Sequence, residues 1–287
     1  MTTVVSMRAH RPFPTPEVDP IRRRPWWLWL SVPIGLLGVA GSLAGILLDR
    51  PYRDETDNWA AQAVGQDVAN LVVLPALLVL AYAAARGSWR AVLAWAGTVV
   101  YTAYSYAIYA FAVHFGPLFL LHVAVLGLAA WALGGFLASV DVRQAHAARQ
   151  GDRLTRFAST LLIGVAGLFA LMWIGQDLPA MVDGTASKEL QDTGLLTNPV
   201  HVLDLAFFLP ASALAGVLLR RGHAWGHCLA PVMLTAMASI SLGIVSLVAV
   251  SAARGLDASF AVAALVGTLG VVQAVTAWLL LRGEPTS

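Results

Sequence analysis

Eight apolar runs of about twenty residues constrain this chain more than any other feature. They are Trp27–Leu48, Val68–Ala85, Ala91–Val113, Leu118–Val140, Phe157–Ile174, Val200–Leu219, Leu229–Val250 and Phe260–Leu281. Each is long enough as a helix to cross a hydrocarbon core about 30 Å thick. Lipid offers no partner to a free backbone amide, so such runs are helices whose hydrogen bonds close within the segment. Charged residues make up only 12% of the chain, about half the share in soluble domains. The fold class read from this is all-α: a polytopic transmembrane bundle of eight spans.

The basic residues set an expected orientation. If the eight spans alternate, Arg86, Arg90, Arg153, Arg156, Arg220, Arg221, Arg282 and the arginines of the leader and central connector share one side. Only Arg50, Arg53, Lys188 and Arg254 fall on the other, a division of 14 against 4. The positive-inside rule then places both termini in the cytoplasm, with the chain multi-pass in the cell membrane. The expected organisation is a disordered basic leader over residues 1–25, a four-helix unit over 26–140 and a cytoplasmic connector over 141–156. A second four-helix unit over 157–282 and a short tail over 283–287 complete it. Trp26, Trp27 and Trp29 are expected in an interfacial aromatic belt. Short interfacial helices are expected at Asn58–Val64 and Ser187–Gln191, and Asn198 with Pro199 should open the sixth span.

One stretch occurs twice. Gln66–Gly87 and His201–Gly222 each start with polar groups, carry Leu-Pro-Ala inside and end on Arg-Gly. Pro75 and Pro210 lie 135 residues apart, as do Arg86 and Arg221. Gly38-Val39-Ala40-Gly41 also recurs, as Gly164-Val165-Ala166-Gly167. These echoes imply a 4+4 parallel pseudo-repeat, and paired prolines at matching depths point to helix irregularity at a transporter-type binding site. The ungapped match sets Gln66 against His201 and leaves Asp67 and Asp204 without equivalents.

Polar side chains are costly at membrane depth and therefore mark candidate sites. Asp67, Asn70, His122, Gln176, His201 and Asp204 all fall toward the outer ends of their spans. Tyr101 and Tyr104 share a face of the third span, where hydroxyls need partners. These eight residues are the expected substrate-binding set, with Pro75 and Pro210 supplying the irregularity. If a metal is held, His122, His201 and Asp204 are the donors available, and His122 with His201 is the pair open to haem. No motif of diagnostic spacing accompanies them, and no cofactor is favoured. No nucleophile elbow, phosphate loop or dinucleotide fingerprint occurs, which argues against an enzyme. Nothing in the charge pattern calls for nucleic acid. A single cysteine, Cys228, excludes an intramolecular disulfide.

Asn70-Leu71-Val72-Val73-Leu74-Pro75, the Tyr101–Tyr109 segment and Phe115-Gly116-Pro117-Leu118-Phe119-Leu120-Leu121 are together similar to stretches of bacterial multi-pass membrane proteins of no assigned activity. The resemblance covers mainly spans two to four and carries over no functional residue. The leading functional expectation is a carrier or binding protein for a small solute or ion, with lipid as its surroundings. The alternatives are a metal- or haem-binding redox protein and a non-catalytic membrane partner subunit.

Overall fold

The computed structural model describes residues 25–142 and 152–282. The leader up to residue 24, most of the central connector and the tail lie outside the described residues. Among the described residues, eight helices are long and apolar enough to cross a membrane: α1 Trp26–Leu47, α2 Asp57–Ala85, α3 Trp89–Ala112, α4 Phe119–Ser139, α5 Arg153–Asp183, α6 Pro199–Arg220, α7 Ala224–Ala253 and α8 Phe260–Arg282. They form a helical bundle, and the chain is an integral membrane protein. Among the described residues, Arg86, Arg90, Arg153, Arg156, Arg220, Arg221 and Arg282 lie at one end of the bundle. Asp54, Glu55, Asp177, Glu189 and Asp192 lie at the other, called here the acidic end.

Local chemistry sets the helix starts. Thr56, Ser88, Ser187 and Asn198 each accept a backbone amide with their side chains, and His223 does the same for α7. Such caps satisfy amides that have no partner in the first turn. The Thr56 cap puts the start of α2 at Asp57, so the interfacial helix expected at Asn58–Val64 is the first part of α2 itself. With 29 residues and about 1.5 Å of rise each, α2 outruns the hydrocarbon core and stands clear at the acidic end. The other short helix does form, over Lys188–Thr193. α5 continues to Asp183, past the expected end at Ile174, so Gln176 and Asp177 are helical.

Each half is packed in the same order, with the first helix on the second, the second on the third and the third on the fourth. The halves meet where α7 packs on α2 and α3. Glycine makes that close approach possible, as is usual between helices in lipid. A methyl group at Gly65 would lie 2.5 Å from Leu247 Cα, and one at Gly97 2.6 Å from the Val232 carbonyl oxygen. The recurring glycine motif is used differently in the two halves. Gly38 and Gly41 press on Leu74 and Leu121, whereas Gly164 and Gly167 face open space.

The first half has an aromatic core near the arginine end. Trp27 packs on Trp95 at 4.8 Å and on Phe136 at 5.8 Å. The two indoles donate to Ser139 and Ser31, each at 2.8 Å. Trp27 is therefore a buried residue and not part of the expected belt, while Trp26 and Trp29 are exposed. Burying an indole requires an acceptor for its N–H, and the two serines provide it.

The doubled stretch also diverges locally. α2 runs unbroken through Pro75. In α6, Pro199–Leu203 is α-helical, Asp204–Phe208 forms a π turn, and α-helix resumes at Leu209. The Leu209 amide reaches back to the Asp204 carbonyl. Of the two expected irregularities, only the one beside Pro210 alters the helix type.

Candidate functional site: a cavity between the halves

The polar residues singled out by the sequence separate into two groups with a cavity between them. The first group is internal to the first half. Asp67 is buried on α2, accepting from Tyr52 Oη at 2.7 Å and from Tyr109 Oη at 2.9 Å. Gly45 leaves room for this carboxylate, since a methyl group there would run into its Oδ2. His122 lies flat on Tyr109 with ring centroids 4.8 Å apart and edge-on to Tyr106. One helical turn along α2, Asn70 accepts from Tyr101 Oη at 2.9 Å and donates to Ser42 Oγ at 3.3 Å. Gln66 Nε2 reaches Tyr101 Oη at 2.5 Å and Ser105 Oγ at 3.2 Å. These bonds satisfy the polar side chains of Ser42, Asp67, Asn70 and Tyr101 against each other and their neighbours, as low-dielectric surroundings demand.

The second group belongs to the second half. Asp204 sits at the first position of the π turn and is buried. Its Oδ2 accepts from Trp173 Nε1 at 2.8 Å, and its Oδ1 accepts from Tyr104 Oη at 3.0 Å. The latter bond crosses from α3 to α6 and ties the two halves together. Trp173 also lies against His201. The Nδ1 of His201 is 2.9 Å from Asp177 Oδ2. Its Nε2 is buried without a hydrogen-bond partner, 4.0 Å from Glu189 Oε2 on the short helix.

Between the groups is a cavity of about 130 Å³, walled by α2, α3, α5, α6, α7 and α8. Among the described residues Asp204 is its only carboxylate, and none of its lining residues is a lysine, arginine or histidine. The other polar walls are Gln62, Gln66, Ser105, Ser241, Gln273 and the tyrosines 101, 104 and 109. Ser241 Oγ donates to Gln273 Oε1 at 3.2 Å. The aliphatic and aromatic remainder includes Trp59, Phe169, Trp173 and Phe208.

Of the eight expected binding residues, Tyr101, Tyr104 and Asp204 line this cavity. Asp67, Asn70 and His122 lie behind its wall, one hydrogen bond or ring contact beyond Tyr101 and Tyr109. His201 lies behind Trp173 in the same way. Gln176 is exposed beside Asn58, Glu189 and Asp192 at the acidic end and takes no part. Trp173, Ser241 and Gln273 have no signal in the sequence, whereas Tyr109 shares the tyrosine face of the third span with Tyr101 and Tyr104. Trp173 stands 31 residues from Asp204 in the chain, and only the folded α5–α6 pair brings the two together.

The expected metal donors do not converge. His122 packs on the tyrosines of the first half, while His201 stacks on the face of the Trp173 ring and Asp204 is bonded to its N–H edge. Among the described residues no three histidine, cysteine or acidic side chains are placed to hold one ion. His201 has its Nδ1 on Asp177 and its Nε2 4.0 Å from Glu189, on the far side of Trp173 from the cavity, so neither nitrogen is shared with Asp204.

The chain matches no family model, no curated protein and no solved structure.

Proposed function

We propose that the protein is a carrier or binding protein for a small solute or ion, with its site in the cavity between the two halves. The observation that supports this reading is the position of Asp204. A single buried carboxylate stands on a π turn, bonded to a residue of the opposite half, in the wall of a space large enough for a small molecule. π turns are frequent at functional sites because they displace side chains from the regular helical register. Interrupted helices at a boundary between structural halves are the usual setting of transporter sites.

The arginine-bearing end faces the cytoplasm of the cell membrane on this reading, which follows the positive-inside rule. In a Cys228→Ala background, a membrane-impermeant thiol reagent applied to intact cells labels Lys188→Cys and spares Arg221→Cys. The reverse pattern inverts the orientation.

The function itself is tested with purified protein and a panel of small cations, neutral molecules and anions. Melting-temperature shifts and uptake into proteoliposomes are the readouts. Ser105→Phe fills the cavity and removes both signals, while Gly134→Ala, which meets no neighbouring atom, retains them. A panel in which the wild type and Ser105→Phe behave alike ends the carrier reading.

A further inference from the structure

The chemistry of the cavity wall narrows what it can hold, given the reading of that cavity as a binding site. Asp204 is the only carboxylate that the described residues bring to it, and the two bonds that Asp204 receives come from neutral donors, Tyr104 and Trp173. Among the described residues no lysine, arginine or histidine forms an ion pair with it. His201, the basic side chain beyond Trp173, has its Nδ1 on Asp177. A carboxylate has about four acceptor positions, so two further ones remain at Asp204. A buried charge without a counter-charge is costly, and a cation in the cavity would supply one.

Two more features describe that cation. Seven aromatic side chains line the space, and ring faces attract positive charge, most of all where water is excluded. Much of the remaining wall is aliphatic, including Ile108, Val165 and Leu247. A bare metal ion needs several oxygen ligands to replace its hydration shell, whereas a carbon-clad cation is solvated by such a wall. Size sets the last limit. The cavity measures about 130 Å³, a little below the roughly 150 Å³ of an apolar cavity that admits benzene.

We propose that the ligand is a small organic cation of about the size of a trimethylammonium group, with its charge opposite Asp204 and its methyl groups among the aromatic rings.

The test compares three probes of one branched shape and different charge: tetramethylammonium, tert-butanol and pivalate. Each is radiolabelled and dialysed against the full chain in lipid nanodiscs, with empty nanodiscs subtracted. The wild type binds the cation at least about tenfold more tightly than the neutral alcohol, and binds the anion most weakly. Asp204→Asn lowers cation affinity by at least about tenfold and leaves tert-butanol within about twofold. Asp204→Glu keeps the preference for the cation. The wild-type comparison needs no variant, so a poorly folded Asp204→Asn leaves the test intact. Binding of tert-butanol as tight as that of the cation, or tighter binding of pivalate, overturns the cationic class while keeping the cavity as a site. If Ser105→Phe removes binding of none of the three, the proposal and the binding-site reading fall together.

Discussion

Trp173 lies against His201, with ring centroids 4.2 Å apart and planes 28° from parallel. The same indole donates to Asp204, so the position of the carboxylate depends on a ring that is itself held from behind. Trp173→Phe keeps a ring against the imidazole and deletes the donor. It should cost about 1–3 kcal/mol of stability, as for a buried acceptor that loses its partner. The affinity for any cavity ligand should change as well. Thermal melts with and without tetramethylammonium measure the two effects, and an unchanged melt would show that water replaces the indole.

Asp67 is one of the two carboxylates, with Asp204, that the sequence puts forward for the binding site. The structure places it behind the cavity wall, where it accepts from Tyr52 and Tyr109. Asp67→Asn should therefore lower the melting temperature, by about 1–3 kcal/mol in stability, and leave cavity binding within about twofold. A variant that melts like the wild type but loses binding would return Asp67 to the site.

The close approach of α7 to α2 depends on Gly65. Gly65→Ala puts a methyl group against Leu247 backbone, which cannot swing aside as a side-chain tip can. A loss of about 1–3 kcal/mol is expected for overpacking. Gly167→Ala meets no neighbouring atom and serves as the matched control. Detergent-melting curves of the two variants, read side by side, decide the matter.

At the acidic end, His114 and Glu55 join the loop after α3 to the loop before α2. The imidazole is 2.9 Å from Glu55 Oε2, and the His114 backbone amide donates to Oε1 at 2.7 Å. The glutamate raises the His114 pKa above its ordinary value of 6.5. Because the folded-state pKa is the higher one, the clasp stabilises fully below about pH 6.5 and is lost as pH rises through the folded value. His114 is largely exposed, so solvent screens the effect. Amide exchange across residues 113–118 should speed up on raising the pH beyond its intrinsic base catalysis, and Glu55→Gln should abolish that excess.

Much of the fold was legible because lipid imposes one rule on every span. Apolar length and the alternation of arginines gave all eight helices, and Asn198-Pro199 gave the start of the sixth. What failed was whatever depended on neighbours. Nothing local separates Trp27, which is buried on Trp95, from Trp26 and Trp29 in the same short run. Two copies of one glycine motif read alike, although Gly38 presses on Leu74 and Gly164 touches nothing. For the site, the cost of burying polar groups picked out Asp204, Tyr101 and Tyr104. It could not tell a residue facing the cavity from one locked behind it, as Asp67 and His122 are. That distinction depends on helix rotation, and a one-residue change in the helical ladder alters it.

The π turn in α6 is such a change. Nine steps separate His201 from Pro210, and eight separate Asp67 from Pro75. A π turn takes up one residue more than an α turn, so the two distances become equal when counted in turns. His201 then stands above Pro210 where Asp67 stands above Pro75, and Asp204 where Asn70 does. The polar pairs three apart in the two helices occupy the same angular places, a correspondence that an ungapped comparison of residues hides. Forcing all of 205–208 into a regular α ladder would swing everything ahead of them by about 100° and turn Asp204 off the cavity, whereas removing one of these residues would close the ladder and leave Asp204 in its place above Pro210.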